Sequence, residues 1–107
     1  MKVITSTLAD SLADVYGDFE AEFGFGPCGA YAALKRTEWG MDVAVCSATD
    51  GKVEFPHYVL VDGDAIIDLA NLLDAELTYS EIEILNRDEM PELVDAEVID
   101  WLRAHHV

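Results

Sequence analysis

The chain has 107 residues, of which 51% are hydrophobic, and it carries 22 acidic against 6 basic side chains, a formal net charge of −16. This charge disfavours binding to nucleic acid through phosphates and to an anionic membrane surface, and the apolar runs are too short to span a bilayer. We expect one domain over residues 1–107 and, because the N-terminal segment lacks the pattern of a signal peptide, a cytoplasmic protein.

The first part of the chain predicts two helices. Apolar side chains recur at helical spacing over residues 6–23, with Ser6 or Thr5 as the cap and Gly17 as a point where the helix breaks or kinks. The stretch "GFGPCG" then forces a turn, and residues 28–38 are rich in helix formers. We expect the glycine of "WG" to end the second helix.

The rest of the chain predicts mainly strands. "MDVAVCSA" and "LTYSEIEIL" alternate apolar and polar residues, and residues 52–55 predict a short strand that ends before Pro56. "HYVLV" and "DAIID" form the clearest local signal, a hairpin closed by a two-residue turn of Asp62 and Gly63. "LANLLD" predicts a short helical turn.

A closing helix is predicted over "MPELVDAEVIDWLRAHH", with Pro91 at its start and an apolar face behind it. The predicted class is therefore α+β. In this arrangement N-terminal helices pack on a small antiparallel sheet of roughly four strands, and a C-terminal helix follows.

The predicted hairpin places two titratable side chains together. A turn at Asp62 and Gly63 pairs Val61 with Asp64, and continuing this register sets His57 opposite Asp68. Opposed residues share a face with Cβ atoms about 5 Å apart, close enough for the carboxylate to hold one imidazole tautomer and favour imidazolium. An ion pair at the rim of the sheet, without a catalytic role, is the alternative.

Cys28 stands at the predicted N-terminus of the second helix, between Pro27 and Gly29. Free N–H groups at a helix N-terminus stabilise a thiolate and lower the cysteine pKa. The same groups can stabilise an oxyanion during acyl transfer. The alternative is a small buried residue, the usual place of a free cysteine.

The second cysteine, Cys46, lies in an alternating strand and is expected in the core. Two other arrangements remain open, a disulfide between Cys28 and Cys46 and a zinc site that adds His57 and Asp68. No closely spaced pair of ligands supports the zinc site, so we expect neither a metal nor a cofactor.

The order Cys, His, Asp along the chain resembles the transglutaminase-like branch of the papain-like cysteine hydrolases. "GPCGAYAALKR" is similar to the family's cysteine at a helix start, and "WGMDVAVCSA" to the glycine and strand that follow it. "HYVLVDGDAIIDL" is similar to the neighbouring strands that bear the histidine and the aspartate. The matching span is residues 24–71.

The resemblance implies a papain-like core and assigns the catalytic roles. Cys28 would be the nucleophile, His57 the general base and acid, and Asp68 the residue that orients His57. The implied reaction is hydrolysis or acyl transfer at an amide bond of a peptide or protein substrate, through a thioester. The chain contains no glutamine, so the oxyanion donors would be backbone N–H groups near Cys28.

A second class of function is compatible with the composition. The strong negative charge is most simply a well-solvated surface, but it also suits an acidic interaction protein, such as an inhibitor or a nucleic-acid mimic. A relative of the same fold without activity is a further alternative.

Overall fold

The structure, a computed structural model, describes residues 2–5, 10–68 and 77–107. The elements in chain order are β1 (Lys2–Thr5), α1 (Asp10–Phe23), α2 (Cys28–Trp39), β2 (Asp42–Thr49), β3 (Glu54–Asp62), β4 (Ala65–Ile67), β5 (Thr78–Ile84) and α3 (Ala96–Ala104). The α+β class is confirmed. Within the described residues, the helices are all too short or too polar to cross a membrane.

The described strands form one five-stranded sheet in the order β1-β4-β3-β2-β5. The predicted antiparallel strands are present as β2 to β5. β1 was not predicted, because a strand of four residues gives almost no periodicity and its parallel partner β4 lies late in the chain. The predicted end of a strand before Pro56 is wrong, since β3 continues through that residue, which pairs with Ser47 of β2.

The two N-terminal helices follow the prediction in part. α1 passes Gly17 without interruption, so the predicted break is absent, and Thr5 lies in β1 and is therefore not a helix cap. Residues 6–9, with the predicted cap Ser6, and the helical turn predicted at residues 69–74 lie outside the described residues. α2 ends as predicted at Gly40, whose left-handed φ of 65° favours glycine.

The closing helix begins later than predicted. Pro91 does not start it, because Leu93 has a left-handed φ of 68° and interrupts any helix at that point. α3 starts after Asp95, whose side chain accepts a hydrogen bond of 3.1 Å from the backbone N–H of Val98. The apolar face predicted for this helix packs into the core through Val98 and Leu102.

The three helices share the largest core, and each face of the sheet has its own apolar cluster. The helical core is formed by Leu12, Phe19, Ala30, Tyr31, Ala33, Leu34, Val94, Val98, Ile99 and Leu102. Leu60 of β3 packs against Ala32 of α2, whereas Val59 and Val61 pack with Cys46 and Ile66. Since side chains alternate along a strand, His57 shares the face of Val59 and Val61.

The helix cap offers a test of the corrected start of α3. We expect Asp95→Ala to lower the free energy of unfolding by about 0.5–2 kcal/mol, because the N–H of Val98 loses its acceptor. Asp95→Asn is the matched control, since asparagine caps as well as aspartate. Urea unfolding followed by circular dichroism measures both variants. Equal stability of the two variants would show that the cap contributes nothing.

Candidate active site

Cys28 is the first residue of α2, as predicted, and it is partly exposed. Pro27 precedes it as the N-cap and provides no side-chain hydrogen bond to the helix. The first N–H groups of α2 are therefore not occupied by a cap. Because these groups carry partial positive charge, they favour a thiolate at the helix start.

The residue after the cysteine lies in a narrow space. A Cβ atom at Gly29 would lie 3.1 Å from the Cβ of Pro91 and 3.1 Å from the Cδ2 of Tyr58. The Tyr58 hydroxyl also accepts a hydrogen bond of 3.1 Å from the backbone N–H of Glu92. The segment before α3 and the ring of Tyr58 thus close around the start of α2, and only glycine fits there without a shift of its neighbours.

His57 and Asp68 form a buried pair. The Nε2 atom of His57 lies 2.9 Å from Oδ1 of Asp68. The two residues are 4% and 1% exposed, respectively, so the interaction is shielded from water. A pair at a solvated rim, the alternative considered from the sequence, does not match this burial.

The hairpin register that brings the pair together differs from the predicted one. Asp62 pairs with Ala65, and Val61 pairs with Ile66 rather than with Asp64. The turn therefore consists of Gly63 and Asp64, and Gly63 has the positive φ of 61° that a turn with glycine at its first central position requires.

The predicted opposition of His57 and Asp68 is consequently wrong, but their shared face is right. The shift between the predicted and the observed pairing is two residues along β4, and a shift of two keeps every side chain on its original face. Asp68 then lies diagonal to His57 across the hairpin, a distance that polar side chains can bridge.

Tyr79 also contacts the buried pair, and the sequence did not predict this role. Its hydroxyl donates a hydrogen bond of 2.6 Å to Oδ2 of Asp68. Burial and then Asp68 raise the pKa of Tyr79, so the phenol stays protonated. Its position in the alternation of β5 showed only which face it occupies. The contact depends on β5 lying next to β2, where Tyr79 pairs with Ala48.

The side chains of Cys28 and His57 lie beside each other, since each shifts the pKa of the other through hydrogen bonding and charge. Nε2 of His57 faces Asp68, so Nδ1 is the ring nitrogen left for the sulfur. The backbone N–H groups of Tyr58 and Gly29 also stabilise the thiolate and lower the pKa of Cys28. The start of α2 thus lies beside β3 at Tyr58, beyond Leu60, where the described pairing with β4 ends.

These contacts shift both pKa values toward the charged forms. Burial raises the pKa of the Cys28 thiol, but the hydrogen bond and charge of His57, with the two backbone N–H groups, outweigh it and lower this pKa. Burial lowers the pKa of His57, but Asp68 and Cys28 outweigh it and raise this pKa to about 9. The arrangement favours a thiolate–imidazolium pair at neutral pH.

Cys28 and His57 line a cavity of about 740 Å³, and Asp68 lies behind His57, away from the lining. This volume falls within the roughly 300–1,000 Å³ typical of small-molecule sites. Most of the remaining lining is apolar or aromatic: Tyr16, Phe25, Val45, Val53, Phe55 and Leu93. Two of these side chains are largely exposed, Val53 at 56% and Leu93 at 66%.

Cys46 belongs to the core, in line with its alternating strand. Its thiol donates to the backbone carbonyl of His57 at 3.5 Å, and burial raises its pKa to about 12. Cys28 and Cys46, both in the described part of the chain, are free thiols. Within residues 10–68 and 77–107, no cluster of histidine, cysteine and acidic side chains is arranged to hold a metal ion.

Comparisons with known proteins add no relative. No family model matches the chain, and neither a curated protein nor a solved structure matches it. The resemblance to transglutaminase-like cysteine hydrolases, including a papain-like core, therefore stays a prediction. Independently of any family, the structure brings Cys28, His57 and Asp68 together, and the first two line one cavity.

The electrostatic arrangement predicts an activated thiol. We expect the pKa of Cys28 to lie below that of an ordinary cysteine, and His57→Ala to raise it, because the variant removes the positive charge beside the sulfur. The rate of iodoacetamide labelling against pH, read for each cysteine by peptide mass spectrometry, gives both values. Cys46 serves as the internal control and should label slowly. A Cys28 that labels with the pH dependence of a free thiol would contradict the arrangement.

Proposed function

We propose that the protein is a small cysteine hydrolase or acyltransferase that cleaves amide bonds through a thioester on Cys28. The observation that carries the proposal is the continuous contact from sulfur to imidazole to buried carboxylate, which opens onto a cavity. A nucleophile within hydrogen-bond reach of a base that a third group orients is the arrangement needed for covalent catalysis.

Each group has a distinct task in the reaction. The Cys28 thiolate attacks the carbonyl carbon, and the imidazolium of His57 donates its Nδ1 proton to the leaving amine as the carbon–nitrogen bond breaks. Asp68 accepts from Nε2 throughout and holds the ring so that the other nitrogen faces the sulfur. Water then attacks the thioester with His57 as general base, or an amine takes the acyl group instead.

The cavity defines the class of substrate. Its apolar lining favours an amide whose acyl side carries a bulky apolar group, such as an aromatic or branched residue of a peptide. Its charged lining residues other than His57 are Asp50 and Glu92, both acidic. Together with the net charge of −16, they attract a substrate with basic residues beside the apolar one.

Formation of a thioester is the direct test. We expect p-nitrophenyl acetate to acetylate Cys28 with a burst of p-nitrophenolate, and mass spectrometry to place the acetyl group on that residue. Cys28→Ser should remove the burst, and His57→Ala should slow acetylation by roughly 100- to 10,000-fold, because the activating partner is lost.

Cys46→Ser is the matched control for this test. It makes the same chemical change at a buried thiol outside the cavity, and the hydroxyl can still donate to the carbonyl of His57. Its acetylation should equal that of the wild type. If Cys28→Ser behaves like the wild type in every assay, the proposed enzyme is excluded. A role as an acidic interaction protein is then favoured.

The pH dependence separates the tasks of Cys28 and His57. Acetylation by the ester needs only the thiolate, since p-nitrophenolate leaves without a proton. Its rate should therefore rise through the lowered pKa of Cys28 and then stay level. Cleavage of N-acetyl-phenylalanine p-nitroanilide also needs the His57 proton, so its rate should fall again above about pH 9.

Stopped-flow absorbance over pH 4 to 11 measures both profiles; each apparent pKa belongs to the coupled pair rather than to one residue. Identical profiles for the ester and the anilide would contradict the assignment of His57 as the proton donor.

A further inference from the structure

The proposed reaction creates a negative charge for which the three contacting residues provide no hydrogen-bond donor. When the sulfur attacks a carbonyl, the oxygen becomes an oxyanion, and donors preset at that point lower the barrier. His57 and Asp68 are committed to the sulfur and to each other. The donors must therefore come from other groups that border the cavity.

Tyr16 borders the cavity on the side of the loop that leads into Cys28. It lies on α1, and its side chain is partly buried. A Cβ atom at Gly26 would lie only 3.0 Å from the Tyr16 hydroxyl oxygen. The phenol therefore rests on the backbone of Gly26, two residues before the nucleophile, and the absence of a side chain at position 26 leaves room for it.

The Tyr16 hydroxyl is available to donate. Among the contacts of the described residues, it takes part in no hydrogen bond within the protein. Burial, and then the charges of Glu20 and Cys28, raise the pKa of Tyr16 to about 12. It therefore keeps its proton throughout the range in which Cys28 is a thiolate.

A second donor lies at the start of α2. The backbone N–H of Cys28 is the first of the helix, and the intrahelical pattern begins only with the hydrogen bond from the N–H of Tyr31 to the carbonyl of Pro27. Because Cys28 and Tyr16 line the same cavity, a carbonyl group bound there can bring its oxygen to both donors.

We propose that the Tyr16 hydroxyl donates a hydrogen bond to the oxyanion of the substrate, together with the backbone N–H of Cys28. The inference rests on the proposed function. As the carbon–sulfur bond forms, the carbonyl π electrons move to oxygen, and the two hydrogen bonds hold the charge without transfer of a proton. When the amine leaves with the proton from His57, the carbonyl reforms and Tyr16 is unchanged.

The test compares two reactions of the same sulfur. Acetylation by p-nitrophenyl acetate passes through an oxyanion, whereas alkylation by iodoacetamide displaces iodide from carbon and does not. We expect Tyr16→Phe to slow acetylation by about 10- to 1,000-fold, the effect of losing one oxyanion donor, and to leave the alkylation rate of Cys28 unchanged. Unchanged alkylation also shows that the variant keeps an intact site.

Tyr31→Phe is the matched control, because it removes a hydroxyl from a buried tyrosine of α2 that does not line the cavity. Both of its rates should match the wild type. Acetylation that Tyr16→Phe leaves unchanged would overturn the inference while the proposed function stands. Equal slowing of both reactions would also overturn it, since Tyr16 would then act on the sulfur. A wild type that is alkylated but never acetylated would overturn the proposed function itself.

Discussion

The site depends on the burial of a charged pair. His57 and Asp68 lie almost wholly out of water at a separation of 2.9 Å, and charges in such an environment are unstable unless each has partners. The alternation of sulfur, imidazolium and carboxylate places every charge next to one of opposite sign. At one negative end, Asp68 accepts a hydrogen bond from the Tyr79 hydroxyl. At the other, the backbone N–H groups of Tyr58 and Gly29 stabilise the sulfur of Cys28.

The described end of β4 bears on both halves of this arrangement. Among the described residues, the pairing of β4 with β3 ends at Leu60, and the backbone N–H of Tyr58, further along β3, stabilises the sulfur at the start of α2. Asp68 follows β4 directly, at the point where its carboxylate reaches His57 diagonally. The end of this strand thus positions the carboxylate beside His57.

The sequence predicted the parts of this site that depend on local rules. The helix start at Cys28 follows from the proline, the glycines and the helix formers around it. The common face of His57 and Asp68 follows from the even spacing of strand side chains, and it is unaffected by the error, because a turn misplaced by one residue shifts the strand pairing by two. The position of the turn was predicted wrongly because both Asp62-Gly63 and Gly63-Asp64 contain a glycine. Two-residue hairpin turns accept glycine at either central position, so the sequence does not choose between the two.

The parts that the sequence could not predict depend on contacts between distant segments. β1 is too short for a periodic signal, Tyr79 reaches Asp68 only because β5 pairs with β2, and Tyr16 reaches the cavity only because α1 packs beside the loop at Gly26. Leu93 interrupts the closing helix through a backbone conformation that residue type does not indicate. Such contacts become visible only when the order of strands and the packing of helices are known.

The large negative charge acts on the site in two ways that differ in range. Most of the acidic side chains are solvated, and their effect on Cys28 is screened over about 8 Å at physiological ionic strength. The hydrogen bond and charge of His57 act in direct contact and shielded from water, so they outweigh the distant acids and the pKa of Cys28 stays low. Outside the protein surface, no direct contact offsets the acidic side chains. Their summed electrostatic field therefore governs how charged molecules approach the protein. In the proposed function, the same charge that leaves the thiolate intact therefore favours the approach of basic substrates.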